Sequence, residues 1–122
     1  GLFCSTPMVA VSRKINRKKM MEMLLLGDKI DSKTAVEHGL INRRVPAKLL
    51  NKAVSEVANK IASKSPLTLK IGKEAFYKQL EMPLSEAYEY TSKVMIQNMQ
   101  ARDAEEGISA FIEKRLPVWT GK

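Results

Sequence analysis

The strongest constraint on this chain lies between Ala47 and Ser63. Leu50, Ala53, Val54, Val57 and Ile61 fall on one stripe there, with Lys52, Glu56 and Lys60 opposite. A stripe of that period commits the segment to an amphipathic helix, because a strand would scatter the same residues over both of its faces. The segment ends at Ser63-Lys64-Ser65-Pro66, where Ser65 is a natural N-cap and Pro66 suits the first position of a new helix. That second helix is expected to run to about Gln79, with Leu67, Ile71 and Ala75 on one face. Gly72 inside it costs about 1 kcal/mol relative to alanine, and is expected to permit close packing against a neighbour.

The same period organises most of the remaining chain. Pro83 starts a helix whose stripe is Leu84, Tyr88, Thr91, Met95 and Met99. Tyr88, Tyr90, Met95 and Met99 are expected to be core or trimer-interface residues rather than a cofactor box. Asp103 to Glu106 resembles a capping box, and Ile108, Phe111 and Ile112 follow at helical spacing. Lys114 and Arg115 sit near the end of that helix, where its dipole favours cations, and Pro117 stops it. Toward the N-terminus, Pro7 to Arg13 can form a short helix, against the preference of Val9 and Val11. Arg17 to Leu26 carries Met20, Met21, Leu24 and Leu25 at helical spacing and stops at Gly27. Asp31 or Ser32 can cap a short helix through Ala35 and Val36, which Gly39 ends.

Two segments read differently. Leu2-Phe3-Cys4 is a short apolar run, and Leu40 to Val45 alternates well enough for a strand that Pro46 closes. One or two strands cannot make a stable sheet alone, so these pieces need partners that the chain does not supply. The expected fold is therefore mostly α with one or two short strands.

Composition narrows the function classes. No apolar stretch approaches the roughly 20 residues of a membrane span. The single Cys4 cannot form an intramolecular disulfide and reads as core, which suits a reducing compartment. One cysteine and one histidine, His38, exclude a zinc site of the Cys/His type. The formal net charge of +8 raises the question of polyanion binding. The positive residues are dispersed at helical spacing and do not interleave with aromatics, so they read as solvated helix surfaces and nucleic acid is not expected as a partner.

The run Leu25-Leu26-Gly27-Asp28, followed by Ile30, Ser32, Ala35, Gly39, Leu40 and Ile41, has a distinctive order. It resembles a hallmark of the crotonase (enoyl-CoA hydratase/isomerase) superfamily. "LNKAVSEVANKIASKSPLTLKIGKEAF" resembles that family's paired helices, and "EEGISAFIEKRLPVW" its last helix. "GLFCSTP", "FYKQL" and "EKRLPVW" point to one branch within it.

The resemblance implies the C-terminal helical portion of an α/β crotonase fold. Residues 1–45 would be the end of its core and residues 46–122 a helical trimerisation and CoA-covering region. It implies an acyl-CoA thioester as substrate, with coenzyme A as part of it and no covalently bound cofactor. It also implies a homotrimer or hexamer of crotonase-like subunits in the mitochondrion. The family's oxyanion-hole amides and acid/base glutamates would precede Gly1, which leaves no catalytic residue and no metal ligand here. The family's glycine-rich "Pro-Gly-x-Gly-Gly-Thr" departs to Pro7-Met8-Val9-Ala10-Val11-Ser12 in this chain.

Within the resemblance, Phe111 and Lys114 match the positions that contact coenzyme A. An aromatic face suits adenine, and an ammonium suits phosphate. The plainer alternatives are a core phenylalanine and a solvated lysine. Leu2, Phe3 and Pro7 match a segment that can line an acyl pocket, against the alternative of a buried strand. Trp119 is expected to anchor the tail against a neighbouring subunit. Glu22, Glu105 and Glu106 read as caps and solvated charges rather than a catalytic pair. Two further readings stay open, a non-enzymatic assembly module and a basic helical nucleic-acid binder.

Overall fold

The computed structural model describes all of residues 1–122. The chain divides into two units, Gly1–Ala53 and Val54–Lys122.

In the first unit, α1 (Ser5–Ser12) packs on α2 (Arg17–Leu26), and α3 (Ser32–Glu37) follows. Asn16 caps α2 by accepting from the Lys18 N–H at 2.8 Å. Gly27 ends that helix with φ +69°, a left-handed conformation that glycine adopts without a side-chain clash. Asp31, not Ser32, caps α3, accepting from the Thr34 N–H at 2.7 Å. At the far end of α3, the Leu40 N–H reaches Ala35 O and the Gly39 N–H reaches Val36 O. Those two bonds form a Schellman motif, with Gly39 supplying the left-handed residue. Ile15, Met20 and Ala35 are buried in this unit.

The expected strands do not form. Leu2–Cys4 and Leu40–Val45 are irregular, and Leu2 is 97% exposed. A strand is defined by its ladder, and no other extended segment of this chain pairs with either piece. Cys4 is exposed as well, not core, and Leu2-Phe3 is not a buried strand here.

A short 3₁₀ turn (Ala47–Leu49) leads into α4 (Leu50–Ala62), which begins at the end of the first unit and continues in the second. Its apolar stripe exists as expected, but Leu50, Val54 and Ile61 stay exposed and only Ala53 and Val57 are half-buried.

The rest of the second unit is α5 (Pro66–Gln79), α6 (Leu84–Met99) and α7 (Arg102–Ile112). Ser65 caps α5 with Pro66 inside its first turn, as the sequence predicts. α5 packs most extensively on α6, and α7 contacts both. The buried apolar residues at this junction are small: Ala75, Ala87 and Ala110. The inward face of α5 is the expected one. α6 differs. Leu84, Tyr88, Met95 and Met99 are more than half exposed, and Ala87, Tyr90, Thr91, Val94 and Asn98 face inward. The largest side chains of the stripe are therefore left outward, and the small alanine makes the packed contact. Gly72 lies in open space with nothing within 4 Å of where a Cβ would stand, so it does not serve close packing within this chain.

Candidate functional site

α7 and the segment after it carry the chain's densest polar arrangement. Asp103 and Glu106 lie three residues apart on one side of α7, one turn of helix. Asp103 is 2% exposed. Its Oδ2 accepts from the Ser65 hydroxyl at 2.5 Å and the Gly121 N–H at 3.0 Å. Its Oδ1 accepts from the Thr120 N–H at 2.7 Å and the Thr120 hydroxyl at 2.9 Å. The Asp103 N–H in turn donates to Lys122 O at 2.9 Å. These donors favour the charged carboxylate, the Ser65 hydroxyl above all, and lower its pKa to about 2 against the opposing effect of burial.

Glu106 holds the same segment one turn further on. It accepts both terminal guanidinium nitrogens of Arg115, at 2.6 and 2.9 Å, and the Val118 N–H at 2.7 Å. Arg115 and the Val118 N–H together lower its pKa to about 2. Arg115 is shifted the opposite way, held charged by Glu106 and by Glu113, whose Oε2 lies 2.5 Å from Nε.

Between these two anchors Trp119 lies on Gly107, where a Cβ would come within 3.2 Å of the indole. The indole N–H donates to Ser63 O at 2.8 Å. Trp119 thus anchors the tail against its own chain, where the sequence suggested a neighbouring subunit. Residues 115–122 therefore run back along α7, tied at Glu106, covered at Gly107 and tied again at Asp103.

This fold-back was not legible in the sequence. Asp103 is not a cap: α7 starts after Ala101, and no side chain caps it. Glu106 is neither a cap nor a solvated charge. Only the i, i+3 spacing of two carboxylates ahead of an arginine and a tryptophan hinted at it. Glu22 pairs with Lys19 at 2.6 Å.

The fold-back shapes the end of α7 at the residues matched to coenzyme A. Phe111 is 84% exposed, so it is not core. Lys114 has φ +54° and is the only residue other than glycine with a positive φ. Its N–H reaches Phe111 O at 3.3 Å, and the Arg115 N–H reaches Ala110 O at 3.0 Å. This is a Schellman motif with lysine in the place that glycine usually takes. None of the salt bridges involves Lys114, so an aromatic face and an unpaired ammonium stand exposed one turn apart. Leu2, Phe3 and Pro7 are exposed in the first unit, with Pro7 inside α1.

Residues 3–122 match the profile of the Enoyl-CoA hydratase/isomerase family. The chain belongs to that family. Among curated proteins it is 48% identical over 120 residues to enoyl-CoA hydratase domain-containing protein 3, mitochondrial, of Rattus norvegicus, covering 98% of this chain and 40% of that one. Among solved structures it matches human enoyl coenzyme A hydratase domain-containing protein 3 with a TM-score of 0.94 and 47% identity, over 98% of this chain and 47% of that one. An enoyl-CoA hydratase of Mycobacterium smegmatis matches with a TM-score of 0.95 and 42% identity, over 98% of this chain and 46% of that one. The mostly helical portion of a crotonase fold, expected from the sequence, is thus established, and so is the branch to which its motifs pointed. The chain spans about 40% of the length of the curated relatives it matches. No helix is long and apolar enough to cross a membrane.

Proposed function

We propose that this chain forms the C-terminal part of an enoyl-CoA hydratase/isomerase-family protein that handles acyl-CoA thioesters. In this reading α7 presents Phe111 to the adenine of coenzyme A and Lys114 to one of its phosphates. Leu2, Phe3 and Pro7 border the acyl group. Residues 46–122 cover coenzyme A and contact neighbouring subunits, and residues 1–45 complete the core. The groups that polarise the thioester carbonyl and move protons lie outside this chain, and the protein that carries them adds water to a 2-enoyl-CoA through an oxyanion-stabilised enolate. That makes it a lyase of fatty acid metabolism. A mitochondrial location follows the names of its relatives.

The observation that carries the reading is the end of α7. An aromatic ring 84% exposed stands one turn before an unpaired lysine in a left-handed turn, in a chain of a family named for enoyl-CoA chemistry. The exposed ring offers a face that suits stacking on adenine, and a non-glycine residue at positive φ carries a conformational cost. Two measurements test it. Lys114→Glu in the complete protein should weaken acyl-CoA binding, and unchanged affinity would sink the CoA assignment. The 122-residue chain alone should not turn over crotonyl-CoA, and measurable turnover would overturn the division of labour.

A second reading is a non-enzymatic assembly module that packs on crotonase-like subunits as a trimer or hexamer. The open apolar faces of α4 and α6, with Leu50, Val54, Ile61, Leu84, Met95 and Ile96 exposed, favour it. Light scattering distinguishes the two: a well-behaved monomer of the isolated chain would count against the module.

A further inference from the structure

The formal charge of +8 is shared unevenly along the chain. Gly1–Ala53 holds eleven lysines and arginines against four aspartates and glutamates, a formal +7. Val54–Lys122 holds ten against nine, a formal +1. In the first unit the excess is densest at the corner between α1 and α2, where Arg13, Lys14, Arg17 and Lys18 are exposed. That corner is fixed. The Lys14 and Ile15 N–H groups both donate to Val11 O, at 2.9 and 3.2 Å, and Ile15 and Met20 of the same stretch are buried.

The fold gains nothing from the cations on α2. Arg17, Lys18 and Lys19 stand in its first turn, with no acidic residue among them. That turn is the positive end of the helix dipole, where a cation is unfavourable. Lys19 is offset by Glu22 at 2.6 Å, whereas Arg17 and Lys18 enter none of the ion pairs. Beyond these cations the outward face of α2 is apolar. Met21 lies one turn after Arg17 and Lys18, and Leu25 one turn after Met21, both at least half exposed. Met20, Met23 and Leu24 face inward. The acid on the outward face, Glu22, is the one already paired with Lys19.

Cations and exposed apolar side chains on one helix face suit the boundary between lipid headgroups and acyl chains. The long stems of lysine and arginine keep their charges among the headgroups while the apolar residues go deeper. Nucleic acid suits this face less. Phe3 is the only aromatic residue of the first unit, and single strands are held largely by stacking on aromatics. A covering protein core suits it less as well, because burial would strip these cations of water.

We propose that the α1–α2 corner is a docking surface for an anionic phospholipid membrane. Arg13, Lys14, Arg17 and Lys18 pair with headgroup phosphates and carboxylates, and Met21 and Leu25 enter the edge of the acyl region. The contact is peripheral and reversible, and it places the protein at a membrane surface without a spanning helix.

The test is co-sedimentation of the complete protein with two kinds of vesicle, phosphatidylcholine alone and phosphatidylcholine with about one-third phosphatidylserine. Binding should be confined to the anionic vesicles and be lost in about 0.5 M salt. Arg17→Gln with Lys18→Gln should weaken it about 25-fold, about fivefold for each cation near an anionic surface. Lys48→Gln with Lys52→Gln removes the same charge from the same unit and should weaken it less than about threefold. Met21→Gln should weaken it about fivefold and leave the salt dependence unchanged. The α2 double variant keeps the Lys18 N–H that Asn16 accepts, so it should melt no lower than the parent. A lower melting temperature would give these cations a role within the fold and remove the premise. Equal binding to both kinds of vesicle, or equal losses from the two lysine and arginine pairs, would overturn the docking surface. Absence of vesicle binding at low salt would overturn it too, and salt-sensitive retention of a mixed-sequence RNA in its place would assign the face to nucleic acid.

Discussion

The Ser65 hydroxyl donates to Asp103 Oδ2 at 2.5 Å across 38 positions of sequence. The same serine oxygen accepts the Thr68 N–H at 3.2 Å and so caps α5. One side chain therefore starts a helix and satisfies a carboxylate on another helix, and that carboxylate in turn holds Thr120 and Gly121.

Ser65→Ala breaks both relationships. The lost cap alone should cost about 1 kcal/mol, and the buried Asp103 oxygen loses the donor that stabilises it most. Chemical denaturation should show a lower midpoint than for Asn16→Ala, which removes only a cap on α2. Equal midpoints would mean that the Ser65–Asp103 bond contributes nothing.

Acid should release the tail in a defined window. The carboxyls of Asp103 and Glu106 fall from ordinary values of 3.8 and 4.5 to about 2 in the folded chain. A depressed carboxylate contributes its full stability above its unfolded pKa and loses it as pH falls through the folded one. The tail should stay docked above about pH 4.5 and come free as pH approaches 2. Trp119 is the sole tryptophan and reports this directly: its emission should shift to the red between those limits. Asp103→Asn should flatten the transition.

Gly107→Val should expel the indole. A Cβ at this position already meets Trp119 at 3.2 Å, and the ring cannot slide freely while its N–H is bonded to Ser63 O. Crowding of this kind costs about 1–3 kcal/mol. A red-shifted tryptophan emission at neutral pH, with a lower melting temperature, is the expected outcome.

Gly72→Ala should have the opposite sign. With nothing within 4 Å of the new methyl group, the substitution gains about 1 kcal/mol of helix propensity without steric cost. A fall in melting temperature would show that another molecule packs against this face of α5.

Lys114→Gly should also stabilise the chain, by about 1 kcal/mol, because glycine takes the left-handed conformation without penalty. The proposed function makes that gain coincide with a loss of coenzyme A affinity. A variant that is more stable and binds equally well would remove the functional reason for a lysine at this turn.

Helical periodicity and capping chemistry are local, so the order of helices could be read from the chain itself. Ser65-Pro66 starts α5, Gly27 ends α2 and Gly39 ends α3 because each residue satisfies or frees backbone groups within a few positions of itself. The run that resembles the family's hallmark is itself made of such local punctuation, with Gly27 and Gly39 as its stops.

Contacts made at a distance could not be read. Leu2–Cys4 and Leu40–Val45 have strand-like sequences, but a strand exists only through a ladder, and the chain holds no partner for theirs. The apolar stripe of α6 was plain, but its period cannot say which side meets a neighbour, and the packed side turned out to be that of Ala87. Asp103 and Glu106 look like first-turn acids of a helix, where a carboxylate is at home in any sequence. Only the return of residues 115–122 along α7 makes them anchors, fixes Trp119 on Gly107 and holds Lys114 in a turn that local preference would refuse. The sequence by itself determined where helices begin and end, because those signals act over one turn of backbone. The tertiary structure decided which side chains are buried, paired or left outward, because burial and pairing depend on residues far away along the chain.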